Sequence, residues 1–141
     1  MNSDARNASP MAILVVDDDE DVRKLFAAVL KGEGYRVMSS PSVPDAYAVW
    51  SANREVLDLG ITDFHLNGRT GQELIDLVHA EDPDFPFLLV TGMMPDEQEE
   101  FNVRDVVGIM RKPVILYELL EAVQRILIKS LTSGEPPAKR G

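Results

Sequence analysis

Five short apolar runs alternate with segments of helical periodicity, and this alternation limits the folds that the chain can adopt. The first run, Ala12–Val16, is apolar throughout, which is typical of a strand buried on both faces of a sheet. In the segment after it, apolar residues recur at helical spacing until Gly32 and Gly34 end the predicted helix. The later strands are predicted at residues 35–39, 57–62, 85–90 and 106–110.

The segments between these strands have helical signals of unequal strength. The last segment, residues 116–127, has the clearest apolar periodicity. The helix after the third strand is predicted to place Leu74, Leu77 and Val78 on one face. Residues 95–104 are crowded with acidic side chains, so we predict only a short, marginal helix there.

Strands that alternate with helices predict a parallel sheet covered on both faces. Right-handed crossovers with one reversal then give the strand order 2-1-3-4-5. We therefore expect an α/β fold of the flavodoxin-like type, a doubly wound (βα)5 arrangement with a five-stranded parallel sheet in a single domain.

Three further features have simple structural interpretations. Trp50 is expected to pack in the core, and His79 is expected on an exposed helix surface. Asn67, Gly68 and Gly71 mark a loop after the third strand.

The ends of the chain differ in composition from its middle. A chain of 141 residues with 45% hydrophobic side chains can form one domain with its own core. Residues 1–10 are small and polar, and residues 132–141 contain glycine, proline and charged side chains. We expect a flexible N-terminal lead-in at 1–10, a domain at 11–131 and a flexible tail or linker at 132–141.

Charge and composition argue against several classes of protein. The net charge of −10 argues against a nucleic-acid partner, because phosphate backbones need clustered lysine and arginine. The sequence has no cysteine and therefore no disulfide framework. We find no signal peptide and no stretch for membrane insertion, so a cytoplasmic location is expected.

Polar side chains follow four of the predicted strands. Asp17 and Asp18 follow the first, Asp63 the third, Thr91 the fourth and Lys112 the fifth. Because the carboxyl ends of parallel strands share one edge, these groups should emerge together where open α/β sheets bind ligands. The first and third strands are neighbours in the predicted order, so the three carboxylates should converge.

Three converging carboxylates repel one another unless a cation neutralises them. Mg²⁺ suits such a site, because it takes oxygen ligands, keeps several waters and accepts phosphate oxygens. A carboxylate can also attack phosphorus to give an aspartyl phosphate. That transfer needs a fixed cation on the phosphoryl oxygens, which Lys112 can supply, and Thr91 can donate a hydrogen bond to the same group.

This set of residues, in this order, resembles the receiver domain of bacterial two-component response regulators, and the similarity extends from Ala12 to Leu131. The resemblance implies that Asp63 is the phosphoacceptor, and that Asp17 and Asp18 hold Mg²⁺ with it. It also implies that the backbone carbonyl of His65 is a further metal ligand.

The same resemblance assigns Thr91 and Lys112 to phosphoryl binding and implies a cis peptide bond between Lys112 and Pro113. The phosphoryl donor would be a sensor histidine kinase or a histidine phosphotransfer protein. Because the chain ends soon after its last helix, output is expected through contact with a downstream protein target or through onward phosphotransfer. We expect a phosphoacceptor that promotes its own phosphorylation and dephosphorylation rather than an enzyme, and part of a histidine kinase only if the chain is cut from a hybrid one.

Three positions depart from the receiver pattern. Asn67 stands where proline is usual, and Thr70 where aspartate is common. Ile109 occupies the place of the switch residue, usually tyrosine or phenylalanine, and an aliphatic side chain cannot make the same ring motion. Ile109 and the marginal helix predicted at 95–104 leave a second interpretation open, a degenerate receiver that acts as a phosphorylation-independent interaction module.

A phosphatase of the haloacid-dehalogenase-like type is a further alternative, because Asp17 and Asp19 reproduce its Asp-x-Asp pattern after a strand. Such a site normally needs another acidic metal ligand after its lysine. After Lys112 the chain offers only Glu118, Glu121 and Glu135.

Overall fold

A computed structural model of the protein describes residues 10–132. The expectations for residues 1–9 and 133–141 therefore lie outside the described part of the chain. A five-stranded sheet consists of β1 (Ala12–Val16), β2 (Arg36–Ser40), β3 (Leu57–Thr62), β6 (Phe87–Thr91) and β7 (Gly108–Arg111). The strands are parallel and lie in the order β2-β1-β3-β6-β7, which confirms the predicted order 2-1-3-4-5.

Four α-helices, one small hairpin and a short 3₁₀ helix complete the regular structure of residues 10–132. The hairpin pairs two antiparallel two-residue strands, β4 (His65–Leu66) and β5 (Arg69–Thr70). The helices are α1 (Glu20–Gly32), α2 (Val43–Ala52), α3 (Gly71–His79) and α4 (Leu116–Thr132).

The sheet separates two hydrophobic clusters. On one side α2 and α3 pack against it, with Trp50, Leu74 and Phe85 fully or almost fully buried. On the other side Phe26 of α1 and Leu119 of α4 belong to the second cluster. Every residue of β1 is buried, as predicted for a central strand with both faces covered. The expected core position of Trp50 is confirmed.

The prediction of a short helix at 95–104 is wrong. This segment consists of turns and a short 3₁₀ helix, Val103–Asp105. A helix here would place Asp96 one turn from Glu99 and Glu100, and like charges at that spacing repel. Instead Asp96 Oδ1 accepts hydrogen bonds from the backbone N–H groups of Gln98 and Glu99, which stabilises a turn.

Helix α3 begins earlier and is rotated differently from the prediction. Gly71, expected in a loop, is its first residue, and Thr70 caps it in a capping box with Glu73. The buried face uses Ile75 rather than Leu77, which is 39% exposed.

His79 is also not on an exposed surface, because it is half-buried and its Nε2 lies 2.9 Å from the carbonyl oxygen of Phe85. The imidazole thus pairs with the chain that leads into β6.

Within residues 10–132 no helix has both the length and the apolar character that a membrane crossing would require.

Candidate functional site

Three carboxylates meet at the carboxyl edge of the sheet, as expected. β1 and β3 are hydrogen-bonded neighbours with Val16 opposite Thr62, so the residues that follow them emerge side by side. Asp17, Asp18 and Asp63 each present an oxygen within 4.8 Å of the others. The donor set is all carboxylate oxygen, which fits a hard divalent cation such as Mg²⁺.

Lys112 places a cation against this group. Its Nζ donates hydrogen bonds to Asp17 Oδ2 at 2.7 Å and to Asp63 Oδ2 at 2.9 Å. The two carboxylate side chains are only 3% and 12% exposed, and the lysine side chain is 21% exposed. The Lys112–Pro113 peptide bond that follows is cis, as the resemblance implied.

Burial and hydrogen bonding have opposite effects on the pKa of Asp17, and likewise on the pKa of Lys112. Burial raises the pKa of Asp17 above its ordinary value, although the hydrogen bond from Lys112 opposes that rise. Burial alone would lower the pKa of Lys112, but its hydrogen bonds to Asp17 and Asp63 outweigh that effect and raise it. The lysine is therefore held as an ammonium ion between the carboxyl groups of Asp17 and Asp63.

Backbone N–H groups orient the carboxylates of the two buried aspartates. The N–H of Asp19 donates to Asp17 Oδ1 at 2.9 Å, and the N–H of Phe64 donates to Asp63 Oδ1 at 2.6 Å. Arg23 also contributes, because its guanidinium donates to the carbonyl oxygen of Asp17 at 2.8 Å.

Within residues 10–132, the hydrogen bonds of Thr91 are made to Met93 and Lys112 and not to Asp63. Thr91 is the last residue of β6 rather than the first after it, since β6 runs one residue further than predicted. Its hydroxyl is buried and donates to the carbonyl oxygen of Met93 at 3.0 Å, while its own carbonyl accepts the N–H of Lys112. Thr91 is therefore adjacent to Lys112 with its hydroxyl engaged elsewhere.

His65 connects the loop after Asp63 to residues 95–102. Its Nε2 lies 3.0 Å from Glu99 Oε2 and 3.1 Å from Oε1, and Glu99 Oε1 also accepts the N–H of Asp96. The neighbouring Phe64 makes an edge-to-face contact with Phe101. Side-chain contacts thus hold residues 95–102 against the loop that follows Asp63.

Glu99→Gln should loosen this segment without unfolding the protein. The His65–Glu99 pair is partly exposed, so its loss should change the free energy of unfolding by less than about 1 kcal/mol. Amide hydrogen exchange at residues 96–102 should become faster, while Glu97→Gln, at an exposed neighbouring position, should leave it unchanged. Equal exchange in both variants would show that the contact between His65 and Glu99 does not restrain the segment.

Several contributors to this edge were not singled out from the sequence. The capping box at Thr70 and Glu73 has a recognisable S/T-x-x-E pattern that could have placed the start of α3. Arg23 had no comparable signal, because a long charged side chain in a first turn normally points to water. Gly71 is expected only as a loop residue, whereas a Cβ there would overlap the carbonyl oxygen of Asp63.

A five-stranded parallel α/β sheet with three carboxylates and a lysine at its carboxyl edge defines a recognisable class of domain. The family model for the response regulator receiver domain matches residues 13–124, which is most of the chain. The protein belongs to the response regulator receiver family of two-component signalling systems, and this membership favours the receiver interpretation over the phosphatase alternative.

Individual relatives agree with this assignment. The transcriptional regulatory protein GlrR of Escherichia coli K12 is 31% identical over 123 residues, covering 86% of this chain and 27% of GlrR. The chain therefore spans about a quarter of the length of that relative.

Solved structures show the same fold. A CheY-like receiver domain protein from Methanospirillum hungatei is 28% identical with a TM-score of 0.80, covering 89% of this chain and 100% of that one. The response regulator TrrA from Thermotoga maritima, solved in complex with Mg²⁺ and BeF, is 26% identical with a TM-score of 0.71, covering 82% and 98%.

Proposed function

We propose that this chain is a phosphoryl switch in which Asp63 accepts a phosphoryl group from a phosphohistidine in the presence of Mg²⁺. The observation that carries the proposal is the position of Lys112 Nζ, within 2.9 Å of carboxylate oxygens of both Asp17 and Asp63 in a receiver fold. An ammonium ion fixed beside a carboxylate is the arrangement that a transferring phosphoryl group requires.

The proposed metal ligands are carboxylate oxygens of Asp17, Asp18 and Asp63 with the backbone carbonyl of His65. Support comes from the mutual distances of at most 4.8 Å among the carboxylate oxygens, and from the Mg²⁺ and BeF complex of TrrA. When bound, Mg²⁺ supplies positive charge that offsets carboxylate repulsion and the charge on the phosphoryl oxygens.

In the proposed transfer, a carboxylate oxygen of Asp63 forms a bond to phosphorus. The P–N bond of the phosphohistidine breaks, and the imidazole nitrogen leaves with the electron pair. Lys112 would contact the phosphoryl oxygens in place of its present contacts to the carboxylates. Thr91 would donate to the same group once its hydroxyl leaves the carbonyl of Met93.

The proposed partners are a sensor histidine kinase or histidine phosphotransfer protein upstream and a protein target downstream, in the cytoplasm. GlrR is a transcriptional regulatory protein, and this chain matches about a quarter of it, so the output of the whole protein also belongs to the proposal. The chain itself serves as phosphoacceptor rather than as an enzyme acting on other molecules.

A small phosphodonor with Mg²⁺ tests the acceptor role directly. Intact-mass spectrometry should show one added phosphoryl group on the wild-type chain and none on Asp63→Asn. Asp21→Asn, an exposed carboxylate of the same size in α1, should label like the wild type. Undiminished labelling of Asp63→Asn would defeat the assignment of Asp63.

A phosphorylation-independent interaction module is the second candidate. Ile109 is 36% exposed at the switch position, and residues 95–102 contain no helix. Amide NMR spectra with and without beryllofluoride and Mg²⁺ distinguish the two functions. Shifts confined to the immediate pocket would favour the module, whereas shifts that extend through residues 95–109 would favour the switch.

A further inference from the structure

Both residues in the turn of the β4–β5 hairpin have positive φ angles. Asn67 has φ 51° and Gly68 has φ 83°, so both turn residues are in the left-handed region. Two-residue hairpins favour such turns, and Asn-Gly is the dipeptide that adopts them most readily. The hairpin tip is therefore shaped by its sequence rather than by a ligand.

This turn reaches a carboxylate far away in the chain. The backbone N–H of Asn67 donates to Asp18 Oδ2 at 3.1 Å, across 49 positions of sequence. Asp18 is the member of the carboxylate group that Lys112 does not contact in the described structure, since the lysine bonds are made to Asp17 and Asp63. The direction of the Asp18 side chain thus depends on the hairpin.

The three carboxylates then follow one pattern, in which each accepts a backbone N–H on one oxygen. For Asp17 and Asp63 the donor is the chain that follows immediately, at Asp19 and Phe64. For Asp18 the donor comes from another element, the turn between β4 and β5. One oxygen of Asp18 is fixed in this way, and the other is left for a cation.

We propose that Asn67 is a positioning residue that orients Asp18 for Mg²⁺ through its backbone N–H. This inference rests on the proposed function, because it concerns the same metal site. Proline, the usual residue here in the receiver pattern, has no N–H and cannot adopt a positive φ. The departure at position 67 therefore gives this chain a donor to Asp18 that the usual residue lacks.

The test is a Mg²⁺ titration of the full chain, without phosphodonor, followed by amide NMR. Asn67→Gly keeps both the N–H and the positive φ, so its affinity for Mg²⁺ should match the wild type. Asn67→Pro removes both and should weaken Mg²⁺ binding about 10-fold, the lower end for loss of an outer-shell partner. Equal affinity in the proline variant and the wild type would overturn the proposal.

Gly68→Ala separates the N–H from the shape of the hairpin. An alanine at φ 83° strains the turn but leaves the donor of residue 67 in place, and nothing lies within 4 Å of the added Cβ. Close to wild-type affinity in this variant supports the role of the N–H. A loss as large as in Asn67→Pro would show that hairpin shape matters instead and would overturn it.

A spectroscopic signature of the hydrogen bond keeps the proposal testable if Asn67→Pro fails to fold. In the wild type, the amide of Asn67 should remain at low field and protected from exchange when Mg²⁺ is saturating. Loss of that protection on Mg²⁺ binding would mean that Asp18 releases the N–H, and would overturn the proposal while Asp63 labelling persists. Absence of any Mg²⁺ binding by the wild type would instead remove the proposed function, and this inference with it.

Discussion

Replacing Lys112 with methionine should lower the free energy of unfolding of the metal-free protein by about 3 kcal/mol. The ammonium ion contacts Asp17 and Asp63 at 2.7 and 2.9 Å, and these two carboxylates are almost buried. Without the ammonium ion they face each other and Asp18 with no cation in the described contacts to offset their repulsion. Removing one partner of a buried ion pair is costly for this reason, since the other partner remains buried and charged.

Urea unfolding in the presence of EDTA measures this loss, and repeating it with Mg²⁺ separates charge from packing. If Mg²⁺ binds the folded carboxylate cluster as proposed, and not the unfolded chain, it should restore much of the stability of Lys112→Met. Lys31→Met, at an exposed lysine near the end of α1, should change the free energy of unfolding by less than about 0.5 kcal/mol. If Lys112→Met were as stable as the wild type without metal, the burial of the carboxylates would not require the positive charge of the lysine.

The sheet and its functional edge follow from local sequence to a large extent. The bounds predicted for Ala12–Val16 and Leu57–Thr62 are the observed ones. The first strand is apolar throughout and the second mostly so, and the aspartate that follows each strand marks its end. Handedness and crossover rules then suffice to bring Asp17, Asp18 and Asp63 together. The prediction needed only the order of the strands and no detail of side-chain packing.

Features that depend on contacts between residues distant in the sequence could not be predicted in this way. The conformation of residues 95–104 depends on repulsion among their acidic side chains and on contacts with His65 and Phe64. These contacts exist only after folding. Helix α3 begins at Gly71, which the sequence pattern places in a loop, so the pattern predicts neither the start of the helix nor the burial of Ile75. The donor from Asn67 to Asp18 joins positions 49 residues apart and has no periodic signal.

Gly71 brings the start of α3 close to the backbone of Asp63. As the first residue of α3, its N–H donates to the carbonyl oxygen of Phe64 at 2.6 Å. A Cβ at this position would overlap the carbonyl oxygen of Asp63 and would lie 3.3 Å from Thr62 Oγ1. The obstacle is backbone rather than a flexible side chain, so the helix or the end of β3 would have to move.

Gly71→Ala should therefore destabilise the protein by about 3 kcal/mol, the upper range for overpacking, measured as the free energy of unfolding in urea. Gly32→Ala is the matched control, because Gly32 ends α1 with nothing within 4 Å of an added Cβ. Alanine is the better helix former, so that control should be neutral or up to about 1 kcal/mol more stable. Because the displaced atom belongs to Asp63, Gly71→Ala should also weaken Mg²⁺ binding, whereas Gly32→Ala should not. A stable Gly71→Ala protein with unchanged Mg²⁺ affinity would show that α3 can shift away from Asp63 at little cost, and that the close packing does not hold the carboxylate in place.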